Sequence, residues 1–312
     1  MKFEHKPVML NEVIAGLEIK PCGVYVDCTI GGAGHSSEIL KKLSINGFLY
    51  GFDRDQNAID ASNERLKKYK NYKIIKSNFH EAKKKLLEEG VTKVDGILID
   101  LGVSSHQIDE GERGFSFLHN GPLDMRMDKG QNLTAYDVVN TYSKEKLLKI
   151  LYDYGEEANA KRIVENIISA RKAKPIETTF ELRDLIESSF PKKVIFGKGG
   201  VSKKAFQAIR IEVNGELDGL YETILDLASL LNDGGRLAII TFHSLEDRIV
   251  KNAFKELSTG CICPPKTPIC ICGHKAKGYL LNKKPIIASE EELKENSRSS
   301  SAKLRIFVKS DG

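Results

Sequence analysis

Three aspartates each close a short apolar run, Asp27 after Gly23-Val-Tyr-Val, Asp53 after Phe48 to Phe52 and Asp100 after Val94 to Ile99. Acids at the ends of strands are where open α/β sheets bind ligands. Behind Asp27 follows Gly31-Gly32-Ala33-Gly34-His35. A turn of this kind, opening a helix, aims backbone N–H groups at a ligand that a Cβ would otherwise keep at a distance. A dinucleotide fingerprint would need a third glycine where Ser37 stands, which counts against nicotinamide and flavin binding.

Asp27 before the turn, and Asp53 about 20 residues beyond it where ribose hydroxyls are commonly held, suit a cationic ligand. S-Adenosylmethionine carries a sulfonium and an ammonium but no phosphate, so carboxylates attract it where they would repel a pyrophosphate. The bland alternative has Asp27 capping the turn and Asp53 capping the next helix.

Asp100-Leu-Gly-Val-Ser104-Ser105-His-Gln107 follows the fourth run and shares the rim of the sheet with the glycine turn. A carboxylate there would accept an N–H bond from a nucleobase amine and help it rehybridise toward a methyl group. Asp100, Ser104 and Ser105 are thus the candidate catalytic residues, with turn hydrogen bonding an equal reading for the serines. Further on, His243 and Arg248 offer a base and a phosphate contact, while Ser244 and Asp247 read equally well as an N-cap and its capping-box partner.

These residues need a frame. Strand runs alternate with amphipathic helices from Gly23 to Asp100, which predicts a doubly wound, mostly parallel α/β sheet with right-handed crossovers. From Asp109 to Lys203 comparable strand runs are absent and helical patterns at Ser143 to Asp153, Glu157 to Lys172 and Thr179 to Ser188 take over. The pattern resumes with a long helix, Lys204 to Leu231, a Gly234-Gly235 turn, a strand from Arg236 to Phe242, a helix from Leu245 to Leu257 and a last strand from Ala302 to Val308. The expected organisation is a discontinuous catalytic domain, 1–108 with 204–312, and a helical insertion, 109–203.

At 312 residues, 41% hydrophobic and 29% charged, the chain can bury a large core, and it shows neither a signal peptide nor a membrane-spanning run, so a cytoplasmic protein is expected. The net charge is +5, with lysines clustered at Lys67 to Lys70, Lys83 to Lys85, Lys192 to Lys204 and Lys283 to Lys284; each cluster reads as a solvated face unless several converge into an RNA-binding stripe. Of six cysteines, Cys261, Cys263, Cys270 and Cys272 crowd one segment with His274 just beyond, and they are candidate ligands of a structural zinc ion or else four reduced thiols.

Taken together, the motifs resemble the bacterial small-subunit (16S) rRNA (cytosine-N4)-methyltransferases of the RsmH/MraW family. The matching stretches are His5-Lys-Pro-Val8, Asp27-Cys-Thr-Ile-Gly-Gly-Ala-Gly-His35, Gly51-Phe-Asp-Arg-Asp55, Asp95-Gly-Ile-Leu-Ile-Asp-Leu-Gly-Val-Ser-Ser105, Glu112-Arg-Gly-Phe-Ser-Phe117, Gly121-Pro-Leu-Asp-Met-Arg-Met127, Tyr154-Gly-Glu-Glu157, Phe206-Gln-Ala-Ile-Arg-Ile211, Phe242-His-Ser-Leu-Glu-Asp-Arg248 and Ser301-Ala-Lys-Leu-Arg305. The resemblance implies a class I S-adenosylmethionine-dependent methyltransferase fold, Rossmann-like, with a helical insertion that recognises substrate. It implies methylation at N4 of a cytosine in the decoding region of 16S rRNA in the small ribosomal subunit, while the sequence leaves the oligomeric state open, a homodimer among the possibilities. Cofactor contacts are implied at Ala33, Gly34, His35, Asp53, Phe79, Asp100 and Gln107, beside Asp27 and Gly31 read from the turn itself; Phe79 would face adenine. Arg113, Arg126 and Arg210 would contact RNA or tie the insertion to the sheet. His106 stands where the family has proline, and Gly197 to Lys204 replaces a proline- and arginine-containing loop. A non-catalytic rRNA-binding assembly factor on the same fold is the alternative, against which the intact acids and glycines weigh.

Overall fold

The structure, a computed structural model, describes residues 7–195, 200–264, 269 and 271–310, without the side chains of Ser105, His106, Val194, Ile195 and Ser297. Two compact units are present, 1–102 with 219–312, and 103–218.

The first unit is built on a sheet. Its opening half runs α1 (Leu10–Leu17), β1 (Val24–Asp27), α2 (Gly34–Lys42), β2 (Phe48–Asp53), α3 (Gln56–Leu66), β3 (Tyr72–Lys76), α4 (Ala82–Glu88) and β4 (Val94–Asp100). Ile97, Leu98 and Ile99 of β4 are all fully buried, because helices cover both faces of a parallel sheet and its central strands become continuous apolar runs.

The second unit takes the chain over at Val103 with α5 (Ser105–Asp109), α6 (Ala135–Thr141), α7 (Lys144–Asp153), α8 (Ala160–Ala173), α9 (Thr179–Glu187), α10 (Lys192–Ile195) and α11 (Lys203–Asn214). Thr134 with Asp137 and Thr178 with Glu181 form capping boxes that start α6 and α9. Its core joins Val138 and Val139 of α6, Ile150 of α7, Ile163 and Ile167 of α8 and Leu182 of α9. Ala205, Phe206, Ala208, Ile209 and Val213 of α11 sit in that same core. That packing is why α11 belongs to the helical unit and the chain crosses back at Gly219, not at the expected residue 204.

The expected single helix from Lys204 to Leu231 is two helices. Gly215 ends α11 in the left-handed region at φ 58°, a C-cap conformation that glycine adopts without penalty. The first unit resumes with α12 (Leu220–Ser229), β5 (Leu231–Thr241), α13 (Ser244–Ser258), β6 (Gly278–Leu280), β7 (Ile286–Ile287), α14 (Glu290–Glu295) and β8 (Lys303–Lys309).

Strand order is β3-β2-β1-β4-β5-β8-β6, with β7 also pairing β8. Strands β1 to β5 are parallel, and β8 runs antiparallel to β5, β6 and β7. Leu231 of β5 pairs with Val94 while Arg236 pairs with Gly96, so the predicted Gly234-Gly235 turn lies in a bulge inside β5. The order reverses at β1, which has β2 on one side and β4 on the other; such a switch point opens a crevice at the strand ends. This is a Rossmann-like class I fold. No described helix is long and apolar enough to cross a membrane.

Candidate active site

Register brings the three aspartates to one edge. Asp27 pairs with Gly51 on β2 and with Leu98 on β4, so Asp53 and Asp100 lie one side-chain period farther along their strands. The turn after β1 is fastened to all three. Asp27 accepts from the Thr29 N–H at 3.2 Å and from the Ser36 hydroxyl at 2.7 Å. The Thr29 hydroxyl oxygen accepts the Asp100 N–H at 2.7 Å, tying the ends of β1 and β4 together. Asp53 accepts from the N–H groups of Gly31 and Asp55, both at 2.9 Å.

The capping alternatives therefore resolve unequally. Asp27 braces the turn. The cap of α3 is Asp55, which accepts from the Asn57 N–H at 3.1 Å, so Asp53 holds the glycine turn instead. Ala33, at φ 55°, is the N-cap of α2 and makes no side-chain cap bond. The Ser62 hydroxyl and Arg65 guanidinium donate to the carbonyls of Gly31 and Gly32 and fix the turn from α3.

Acids crowd here at an electrostatic cost. Burial raises the Asp27 carboxyl to about 6, with Asp53 adding repulsion. Burial likewise raises Asp53. Burial pushes Asp100 well above the carboxylate range, and Asp27 and Glu246 push it further. Asp100 Oδ1 is buried with no hydrogen-bond partner, while Oδ2 lies 3.9 Å from His35 Nδ1. The His35 Nε2–H donates to the Val8 carbonyl at 2.9 Å, which leaves Nδ1 as the ring atom that faces Asp100. A cation placed among these carboxylates would relieve all three shifts.

Phe79 opens the turn after β3, half-buried, its ring 4.2 Å from that of His80. Gln107 and Ser104 belong to the helical unit. The Ser104 N–H donates to Gln107 Oε1 at 3.0 Å and the Gln107 N–H to the Ser104 hydroxyl at 3.2 Å, a reciprocal cap on α5. That bond gives the Ser104 hydroxyl oxygen the turn hydrogen bond of the alternative reading, and its O–H remains a donor; the Ser105 side chain lies outside the described residues.

The RNA-contacting arginines need correction. Arg113 is 2% exposed and donates to the carbonyls of Arg126 and Met127 at 2.9 and 3.1 Å. Arg126 forks onto Asp124 with two 2.8 Å bonds and gives Nη1 to the carbonyls of Lys129 and Gln131. Arg210 forks onto Glu216 at 2.8 and 2.9 Å. Each of the three holds acceptors of the helical unit through at least one guanidinium nitrogen, a geometry that planar guanidinium groups suit.

His243, not Ser244, is the N-cap of α13. Its Nδ1 accepts from the Glu246 N–H at 3.4 Å, its Nε2 lies 3.0 Å from Glu246 Oε1, and Glu246 Oε2 accepts from the Phe242 N–H at 2.8 Å. Asp247 pairs with Arg305 and Lys303, so it is not the capping partner either. Arg248 is exposed. Thr29, Ser36 and Glu246, which link or charge the three aspartates, escape sequence reasoning because hydroxyl and acid positions of this kind are common on any turn or helix. Cys261, Cys263 and Cys272 lie in the connection from α13 to β6, and Cys270 lies outside the described residues.

The chain matches the MraW methylase family over residues 2–310. A protein named ribosomal RNA small subunit methyltransferase H from Clostridioides difficile (strain 630) is 55% identical over 310 residues, covering 99% of this chain and 100% of that one. A relative of the same name from Clostridium botulinum (strain Kyoto / Type A2) is 54% identical over 309 residues, covering 99% of this chain and 100% of its own length. Another, from Finegoldia magna, is 52% identical over 311 residues, with 99% of both chains covered. With a rim of strand-end acids around a glycine turn and such similarity from end to end, this chain belongs to the MraW methylase family.

Proposed function

We propose that the chain methylates the N4 amine of a cytosine in 16S rRNA, in the decoding region of the small ribosomal subunit, with S-adenosylmethionine as methyl donor. The observation that carries this reading is the row formed by Asp27, Asp53 and Asp100 at the switch point, three carboxyls with raised pKa values and an unpartnered Asp100 Oδ1. Such a row fits a sulfonium and an ammonium and repels a pyrophosphate. The names of the relatives support a small-subunit rRNA substrate, which would place the protein in the cytoplasm with its ribosomes.

When bound, S-adenosylmethionine supplies an electrophilic methyl group on a positively charged sulfur. Asp27 and Asp53 hold the glycine turn and face the cofactor's positive charge, together with Gly31, Ala33, Gly34 and His35. Phe79 offers an apolar face to adenine. Asp100 would accept an N–H bond from the cytosine amine and so free the nitrogen lone pair from conjugation for the incoming methyl group, whose former bonding electron pair would stay on sulfur. The nitrogen then carries a positive charge, and Asp100, a stronger base than an ordinary carboxylate, takes its proton. The helical unit, residues 103–218, recognises RNA through its surface, where Lys149, Lys161, Lys172, Lys192 and Lys193 are exposed, and not through Arg113, Arg126 or Arg210. His243 orients Glu246 at the rim, and Arg248 extends the basic surface.

Mass spectrometry of 16S rRNA from cells with and without the protein tests the reading, since it reports base and position together. The expected result is loss of one N4-methylcytidine, restored by labelled methyl transfer to immature small subunits in vitro. Unchanged rRNA methylation, with calorimetric binding of RNA but not of S-adenosylmethionine, would instead establish the assembly-factor reading.

A further inference from the structure

We infer that Cys261, Cys263 and Cys272 ligate a structural zinc ion, a site separate from the methyl-transfer rim. Their sulfur atoms lie within 4.8 Å of one another, and Cys261 Sγ stands 3.8 Å from Cys272 Sγ. Two thiolates at about 2.3 Å from one tetrahedral zinc stand about 3.8 Å apart, since the separation is the bond length times about 1.63. A disulfide would instead bring them to about 2.05 Å, and none joins the described cysteines.

The described residues of the connection between Thr259 and Lys277 form no helix or strand. Its base is clamped, with the Lys277 N–H donating to the Leu257 carbonyl at 2.7 Å and the Ser310 N–H to the Lys277 carbonyl at 3.1 Å. Above the clamp, Ile262, Ile269 and Ile271 are 64%, 77% and 83% exposed, so the described apolar side chains build no core there. A short segment that cannot bury its hydrophobic residues is the kind that a metal cross-link orders. Tetrahedral zinc takes four ligands, and these three thiols supply three of them. His274 is not among the grouped ligand atoms. Soft thiolates in a tetrahedral arrangement select zinc over calcium, magnesium or manganese.

The test is elemental analysis of the full-length protein purified under reducing conditions without chelator. About one zinc ion per chain is expected in the native protein and in Cys22→Ser, and loss of most of it in the Cys261→Ser/Cys263→Ser/Cys272→Ser variant. Because that variant risks misfolding, native protein stripped of zinc by chelator and reloaded with cobalt(II) provides a second readout. Intense ligand-field bands of tetrahedral cobalt, with thiolate charge transfer in the near ultraviolet, are expected. Native protein lacking zinc with its thiols reduced, iron in place of zinc, zinc retained by the triple variant, or cobalt spectra without thiolate bands would each overturn the assignment.

Discussion

Ser36 is the most direct handle on the acid row. Its hydroxyl donates at 2.7 Å to Asp27, and both side chains are removed from solvent, at 0% and 1% exposure. Ser36→Ala takes from a buried carboxylate one of its two recorded donors, the other being the Thr29 N–H. A hydrogen bond to a charged group is worth about 1.5–3 kcal/mol, and about 1.36 kcal/mol corresponds to one pKa unit. The Asp27 midpoint should therefore rise by roughly one to two units from its native value of about 6. A cationic cofactor prefers the ionised form, so native affinity for S-adenosylmethionine should fall as pH drops through about 6. In the variant that fall begins at higher pH. At neutral pH the native carboxyl is mostly ionised and the variant's is half or less, which predicts roughly two- to tenfold weaker binding that recovers in alkali. Calorimetric titration across this range reads the midpoint directly. The sign for stability is opposite: burial raises the folded pKa, so the ligand-free protein loses stability as pH climbs from the ordinary value of 3.8 to about 6. A pH-independent loss of affinity, or coincident midpoints in the two proteins, would refute the reasoning.

Asp100→Asn keeps size but not basicity, and should lower the methyl-transfer rate by about 10²–10⁴-fold while changing cofactor affinity far less; single-turnover transfer beside calorimetry separates the two, and full activity would remove Asp100 from catalysis. Arg113→Met removes the Nη2 group that donates to the carbonyls of both Arg126 and Met127, so about 2–4 kcal/mol of stability should be lost in urea unfolding. The salt dependence of RNA binding by the folded variant should stay unchanged. The reverse pattern would return Arg113 to the RNA surface. Gly114 stands at φ 70°, where a Cβ would lie 2.2 Å from the Pro122 carbonyl oxygen. Gly114→Ala should cost at least about 2 kcal/mol, read as a lower thermal midpoint, and an unchanged midpoint would show that the turn relaxes freely.

The sheet's first half was legible because buried parallel strands read as apolar runs, and β1, β2 and β4 each stop at an acid that marks the rim. Beyond that point, tertiary partners decide. Strands β6 and β7 are too short to leave a periodic pattern, and both exist only by pairing with β8. Histidine is not a preferred N-cap, so Ser244 looked the better choice for α13; the strand ends at Thr241, and Glu246 reaches back to the N–H groups of Phe242 and His243, which sets the cap one residue earlier. Arg113, Arg126 and Arg210 look like surface cations in sequence because nothing local reveals that their acceptors are carbonyls and carboxylates of the same unit. The acid row was visible as three residues, but the Thr29 and Ser36 bonds that hold it together depend on how close β1, β4 and α2 come.

Strand β8 sets an order on the protein's biosynthesis. It lies between β5 on one side and β6 and β7 on the other, yet ribosomes make it after every other strand of the sheet. While the nascent chain is shorter than Lys303, β5 presents a bare edge of unpaired N–H and C=O groups, the template on which strands of other molecules add. The helical unit, one continuous stretch from Val103 to Asp218, is by then complete. A chain interrupted just before Lys303 would therefore carry a finished helical body, an intact row of acids and an aggregation-prone sheet edge, which makes the arrival of seven late residues the step that turns a sticky intermediate into a closed sheet.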